Sequence, residues 1–283
     1  MSVSRPASAR PRQDAPVEHD AALPPSREEL DAIERHRVAW SELLGATVVE
    51  DPALGVSFVS QDRPVSSLNF AAAIRWPEQE FENRLAAVVT RLRGLRQWPT
   101  LVVSDGVSQP ADVAARLESA GWRPVSSERI MWARHPQIVP HLDPGLRVAA
   151  VTPATAIDAI RLETAVFGLV PEQIGESAEL LGRSVAEGTT RGFLLRLGGE
   201  PVATARLVPG PGVAGLHAVA VAARHRRRGY GRMITTIATR AGLATGHKLV
   251  WLSVDDANVV AVNLYRSLGY EPSFTWTRWA APA

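Results

Sequence analysis

Apolar positions along this chain switch repeatedly between helical and strand spacing. Behind Ser26 and Glu29, which form a Ser-x-x-Glu capping box, Leu30, Ile33, Val38 and Leu43 with Trp40 predict an amphipathic helix. Short apolar runs at Thr47–Val49, Val56–Val59 and Leu68–Ile74 predict strands. Pro77 opens a helix to about Leu95, with Phe81, Leu85, Val88, Val89 and Leu92 on one face. Leu101–Val103 is a strand, Pro110 opens a helix through Leu117 with Gly121 at its end, and Trp122 to Ala133 reads as a long closing strand. Prolines at 136, 140 and 144 then mark a linker.

The second half repeats the rhythm. Leu146–Val151 is a strand, and Thr152-Pro153 reads as a helix cap and first-turn proline. Ile157, Ile160, Thr164 and Phe167 line that helix, Gly168 ends it, and a second helix follows over 171–186. Phe193–Leu197 and Val202–Leu207 flank Gly198-Gly199, a hairpin signal. Leu216–Val221 is a strand, 229–244 a helix, Leu249–Val254 a strand, Ala257–Leu268 a helix ended by Gly269, and Phe274–Trp279 a final strand. Leu117 to Trp122 and Tyr265 to Tyr270 both end in Gly-aromatic after a helix, which suggests an internal duplication.

Composition narrows the function classes. A length of 283 residues suits two domains, and 46% hydrophobic with 21% charged residues is a globular balance. A net charge of +2 is too even for a general nucleic-acid coat, so no nucleic-acid partner is expected. The absence of cysteine removes disulfide scaffolds, cysteine zinc sites and thiol nucleophiles. No apolar run is long enough for a membrane helix, and residues 1–26 read as a disordered tail without a signal-peptide core, so a cytoplasmic protein is expected. His135 and His141 read as solvated linker residues, and no metal site is expected.

The chemistry concentrates in one stretch. Leu216-His217-Ala218-Val219-Ala220-Val221 is an apolar strand; Arg226-Arg227-Arg228-Gly229-Tyr230-Gly231-Arg232 follows it and leads into a helix. A helix start leaves backbone N–H groups unpaired and carries partial positive charge, glycines admit a close ligand, and arginines add fixed charge. The ligand this suits is a pyrophosphate. Downstream, after another strand, lies Asn258-Val259-Val260-Ala261-Val262-Asn263-Leu264-Tyr265, closing with Gly269-Tyr270.

In this order and separation the two pieces resemble the GCN5-related N-acetyltransferase (GNAT) superfamily, through Arg226, Gly229 and Gly231 in the first and Asn258, Ala261, Leu264, Tyr265, Gly269 and Tyr270 in the second. The resemblance implies an α/β (α+β) fold of mixed, mostly antiparallel sheet flanked by helices, and acetyl-CoA or another acyl-CoA as co-substrate. It implies that the pantetheine arm lies between two splayed strands, with backbone contacts over Val219, Ala220 and Val221 and with Asn258 nearby. Backbone amides over Arg226–Arg232, Arg227, Arg228 and Tyr230 included, would bind the pyrophosphate. Tyr265 matches the tyrosine that protonates the leaving thiolate. The string around His217 is similar to arylalkylamine N-acetyltransferases, which implies a histidine relaying the amine proton through water; by strand alternation it shares a face with Val219 and Val221. Glu163 is an alternative group facing the acceptor.

Residues 27–135 resemble a degenerate GNAT copy, since no Arg/Gln-x-x-Gly-x-Gly loop lies between Leu68 and Leu101. The expected organisation is a tail to 26, this copy over 27–135, a linker over 136–144 and a catalytic domain over 145–283. The expected activity is transfer of acetyl to a primary amine, on a small molecule or a peptide N-terminus, by a monomer or homodimer. The alternatives are a CoA-binding sensor without turnover and a thiol-biosynthesis enzyme similar to mycothiol synthase.

Overall fold

The structure, a computed structural model, describes residues 23–62, 66–136 and 144–282. The tail expectation (apart from residues 23–26) and most of the linker, His141 included, fall outside these residues. The chain order is α1 (Arg27–Ala39), β1 (Thr47–Asp51), β2 (Val56–Ser60), β3 (Phe70–Ala72), α2 (Phe81–Gly94), β4 (Thr100–Ser104), α3 (Val113–Ser119) and β5 (Arg123–Ala133). It continues with β6 (Leu146–Ala150), α4 (Ala156–Phe167), α5 (Ile174–Ala186), β7 (Arg191–Leu197), β8 (Glu200–Pro209), β9 (Val213–Val221), α6 (Tyr230–Ala244), β10 (Leu249–Asp255), α7 (Val259–Arg266) and β11 (Glu271–Ala280).

Local chemistry accounts for most boundaries. Ser26 and Glu29 form the reciprocal capping box on α1. Gly168 closes α4 in the left-handed conformation, with φ 66°. One cap moves: Thr155, not Thr152, precedes α4, because Thr152-Pro153 is spent in a turn whose Thr152 N–H donates to Thr155 Oγ1 at 2.8 Å.

Among the described residues the strands form one mixed, mostly antiparallel sheet in the order β1-β2-β3-β4-β11-β5-β10-β9-β8-β7-β6. The order mirrors itself about its centre. On one side β1, β2 and β3 run antiparallel and β3 lies parallel to β4; on the other β7, β8 and β9 run antiparallel and β9 lies parallel to β10. Between them each half lends its last strand to the other. β5 pairs with β10 from Glu128–Asp255 to Ala133–Val250, while β11 pairs with β4 from Ser104–Trp276 to Thr100–Ala280. β5 and β11 then pair with each other.

Side-chain packing follows this exchange. Trp132 from β5 and Trp251 from β10, both nearly without solvent exposure, share a cluster with Ile33 of α1 and with Trp276 of β11. The opposite face beneath α6 and α7 buries Leu207, Leu216, Ile234, Leu252 and Tyr265. Burying large apolar side chains contributes roughly 1.5–3 kcal/mol each, so neither half closes its core without the other's strand. The full chain is therefore expected to melt in a single cooperative transition, while residues 144–283 alone, lacking β5, show none by near-UV circular dichroism; a cooperative melt of that piece would contradict the arrangement.

Candidate functional site

The sheet opens between β9 and β10. Their parallel pairing runs from Val213–Leu249 to Leu216–Leu252 and stops there, although β9 continues to Val221 and β10 to Asp255. Beyond that point each strand keeps only its outer neighbour. The cause is a β-bulge in β9: Thr204 pairs with Ala220 but Arg206 pairs with His217, so β9 carries one extra residue, and Ala218 sits at φ 52°.

The bulge corrects the alternation expected from sequence. Ala214 and Leu216 point into the core under α6, and Val219 and Val221 pack against that same core. His217 points to the other face. A regular strand would put His217, Val219 and Val221 together; the extra residue at Ala218 flips those after it. Ala220 is buried beside β8. Ala222 N–H donates to Val202 O at 3.0 Å, so the peptide groups of Val221, one residue earlier, point the other way, toward the opening.

The loop leaving β9 curls into the start of α6. Arg227 and Gly229 both have positive φ, 63° and 81°, and Gly229 is the residue before the helix. The first bond into α6 is Met233 N–H to Gly229 O, at 3.0 Å, which leaves the amides of Tyr230, Gly231 and Arg232 without helical partners. The two glycines serve different ends. Gly229 permits the left-handed turn, whereas a Cβ on Gly231 would meet Leu264 Cδ2 at 3.3 Å, so Gly231 lets α6 approach α7. Arg226, Arg227 and Arg228 are exposed at this turn. Arg232 is not free to join them: its guanidinium donates to Ser267 Oγ at 2.7 Å and to Ser267 O at 3.3 Å, tying α6 to the end of α7. Tyr230 is buried and packs in the core with its neighbours.

Across the opening, Asn258 caps α7, its side-chain oxygen accepting from Ala261 N–H at 3.1 Å. Tyr265 lies in the core under α7, 5.8 Å from the Tyr270 ring, and burial pushes its phenol up to about 12, so it keeps its proton at neutral pH.

His217 enters a different setting. Its ring stacks on Trp40, just past the end of α1, with centroids 4.0 Å apart and planes within 2°. Trp251 meets it edge-on at 5.2 Å, and His36 lies 6.2 Å away. His36 accepts from the Trp251 indole at its Nδ1 (3.2 Å) and faces Pro209 O with Nε2 (3.3 Å), which assigns the proton to Nε2. Burial lowers His36 to about 4, and burial with His36, Arg37 and Arg206 nearby holds His217 well below the usual histidine range. Glu163 is committed: Arg206 Nε donates to its Oε1 at 2.9 Å, and a second contact joins Nη2 to Oε2. Burial pushes the Glu163 carboxyl up against the pull of Arg206.

Sequence reasoning passed over His36, Arg206 and Trp251 as members of this group and gave Trp40 only a helix face. No local signal marks them, since His36 and Trp251 are 215 residues apart.

The other parallel pair, β3 and β4, is closed. They touch at Ala71–Leu101, and then Gln109 crosses over: its N–H donates to Ile74 O and its carbonyl accepts from Trp76 N–H, both at 3.0 Å. Glu78 and Glu80 stand before α2 and Glu82 within its first turn, where the C-terminal half has arginines.

The histidine cluster makes stability depend on pH. With a native value near 4 against 6.5 unfolded, His36 stays neutral in the native state while the unfolded chain takes up the proton. Stability present above pH 6.5 is therefore lost as pH falls toward 4, by about 3 kcal/mol from His36, with His217 adding in the same direction. Urea midpoints between pH 7 and 4.5 should fall steeply for the native sequence and less steeply for His36→Asn.

Comparison with known proteins extends the picture. Residues 158–270 match the model of the Acetyltransferase (GNAT) family. No curated protein sequence matches the chain. Among solved structures, the GCN5-related N-acetyltransferase from Kribbella flavida is similar at 22% identity and TM-score 0.64, over 87% of this chain and 95% of its own. One from Sphaerobacter thermophilus is similar at 17% identity and TM-score 0.61, over 90% and 93%. A tandem GNAT protein from the clavulanic acid biosynthesis pathway is similar at 17% identity and TM-score 0.60, over 81% and 78%. These likenesses cover both halves and show a shared fold. Among the described residues no helix is long and apolar enough to cross a membrane. The splayed strands, the arginine–glycine turn and the capped α7 all lie inside the matched stretch, which makes residues 158–270 a domain of the GNAT acetyltransferase family and the chain an acyltransferase.

Proposed function

We propose that the chain moves an acyl group, in the simplest case acetyl, from acyl-CoA to a primary amine by direct attack, using one site in its C-terminal half. The observation that carries this reading is the β9–β10 pairing that stops at Leu216–Leu252 directly before the turn with positive φ at Arg227 and Gly229. The residues fit the substrate. Unpaired amides at the start of α6 and the exposed Arg226, Arg227 and Arg228 suit a pyrophosphate, with Arg232 contributing its amide alone. Val219 and Val221 line the bulged strand, Val221 turning its peptide groups to the opening as an added strand requires, and Asn258 offers its NH₂ while its oxygen caps α7. Tyr265, still protonated at neutral pH, suits protonation of the leaving thiolate.

The N-terminal half is read as a degenerate copy that binds no CoA. Its corresponding opening is crossed by Gln109, and the acidic residues around the start of α2 repel phosphate. Its roles are to lend β5 to the sheet and α1 to the face carrying His217.

Calorimetric titration with acetyl-CoA should give one saturable site per chain. Arg227→Ala with Arg228→Ala should raise the Kd by about tenfold, since each lost phosphate contact at an exposed site is worth up to about 1 kcal/mol. Tyr265→Phe should leave that Kd unchanged and lower kcat by about a hundredfold, the scale of lost general acid catalysis. A sensor without turnover would bind acetyl-CoA and acetylate nothing in an amine screen. Two sites per chain would overturn the reading of the first half.

A further inference from the structure

We propose that the acceptor is an amine joined by an apolar spacer to a carboxylate, lying in the cavity between α4 and the turn that leaves β9, with Arg161 receiving the carboxylate. This rests on the β9–β10 opening being the acyl-CoA site. The cavity holds about 560 Å³, within the range of small-molecule sites. Its walls are the flank of α4 that carries Arg161, Leu162, Ala165 and Val166, with Pro201 of β8 and Ala222 just past β9.

Two ion pairs fix where α4 lies along the strands. Asp158 is held by Arg196, which pairs with Pro201 across β7 and β8. Further along the helix, Glu163 is held by Arg206, which pairs with His217 across β8 and β9. So α4 runs from the level of the β9 exit to the level of His217, the residue after the last β9–β10 pair. The cavity follows it, from Pro201 and Ala222 at one end to Ala165 and Val166, which lie past Glu163, at the other. Its outer end adjoins the arginine turn assigned to the pyrophosphate. Its inner end comes level with the closed end of the opening, where an arm running inward along β9 carries its acyl group.

The charges around the cavity leave one unmatched. Two carboxylates line it, and both are taken: Asp158 by Arg196 and Glu200 by Arg224. The Arg161 guanidinium has no ion pair or hydrogen bond among the described residues. The cavity therefore offers one free cation above an aliphatic wall of Leu162, Ala165 and Val166. A guanidinium binds a carboxylate through two parallel hydrogen bonds, and an apolar spacer gains by burial against such a wall. From Arg161 to Ala165 and Val166 the helix rises about 6 to 7.5 Å. An α-amino acid, whose two charged groups share one carbon, is too short for that span. An amine set apart from its carboxylate by a ring or an alkyl chain reaches across it.

In the transfer the amine nitrogen attacks the thioester carbonyl carbon. The C–N bond forms and the C–S bond breaks, with its electron pair leaving on sulfur. An alkylammonium brings three protons and the amide keeps one, so one goes to the sulfur and one to solvent. The carboxylate takes no part in these bonds. Arg161 is thus a positioning residue, and its loss acts on KM rather than on kcat.

The test compares 4-(aminomethyl)benzoate with 4-methylbenzylamine, using the full chain, acetyl-CoA and thiol release as the readout. The two carry the same amine on the same ring and differ in a carboxylate against a methyl group. The kcat/KM for 4-(aminomethyl)benzoate should be higher by about tenfold, the scale of one charge-assisted pair. Arg161→Ala should raise its KM by about tenfold, with its kcat, the 4-methylbenzylamine kinetics and the Kd for acetyl-CoA unchanged. Arg161→Lys should recover part of the loss. Arg161 is exposed on α4, so these variants keep the fold. Equal or better use of 4-methylbenzylamine, turnover of neither amine by protein that binds acetyl-CoA, or an equal loss for both amines in Arg161→Ala would each overturn the proposal. A raised Kd for acetyl-CoA in Arg161→Ala would give Arg161 to the cofactor's phosphates and overturn it as well. Failure of the native chain to bind acetyl-CoA would instead strike the acyl-CoA site on which it rests.

Discussion

The pairing of β5 with β10 and of β11 with β4 is the constraint under which everything else forms. A strand edge left open presents unpaired N–H and C=O groups and an uncovered apolar face. Each half of this chain leaves such an edge, at β4 and at β10, and each is closed by the other half's last strand. The exchange costs loop closure over a long span, which grows only slowly with length. It gains a continuous ladder and a buried tryptophan cluster that neither half forms alone. It also holds α1 against β9, so the histidine–tryptophan face depends on the same exchange.

Within that frame the β9 bulge separates two chemistries. Before Ala218 the strand is an ordinary member of the sheet. After it, Val219 and Val221 turn to the α6 face and the strand parts from β10. One inserted residue thus opens the cleft and leaves His217 on the far side from Tyr265.

The two sides also differ electrically. The turn into α6 concentrates positive charge at an exposed rim, from helix-start amides and three arginines. The His217 face is buried, with Glu163 and Arg206 paired and both histidines neutral. The N-terminal half lacks the first feature: Gln109 bridges β3 and β4 there, and acidic residues flank its helix start.

Much of this was legible in the residues. The helix and strand rhythm, the capping box at Ser26, the hairpin at Gly198-Gly199 and the arginine–glycine turn are local patterns, governed by backbone sterics and nearest-neighbour hydrogen bonds, and these a sequence states directly. The C-terminal family likeness rests on such patterns too. Which strand fills the edge of β10 is not local, because β5 and β11 are both long and competent to pair there; three-dimensional closure of both edges selects the exchange. The bulge at Ala218 was hidden because the run Leu216–Val221 reads as perfect alternation, and only its pairing with β8 shows the extra residue. The partners of His217 were hidden because Trp40, His36 and Trp251 meet only when α1 lies across the sheet. Burial then decided what composition could not, lowering His217 out of the range in which a sequence alone would have it titrate.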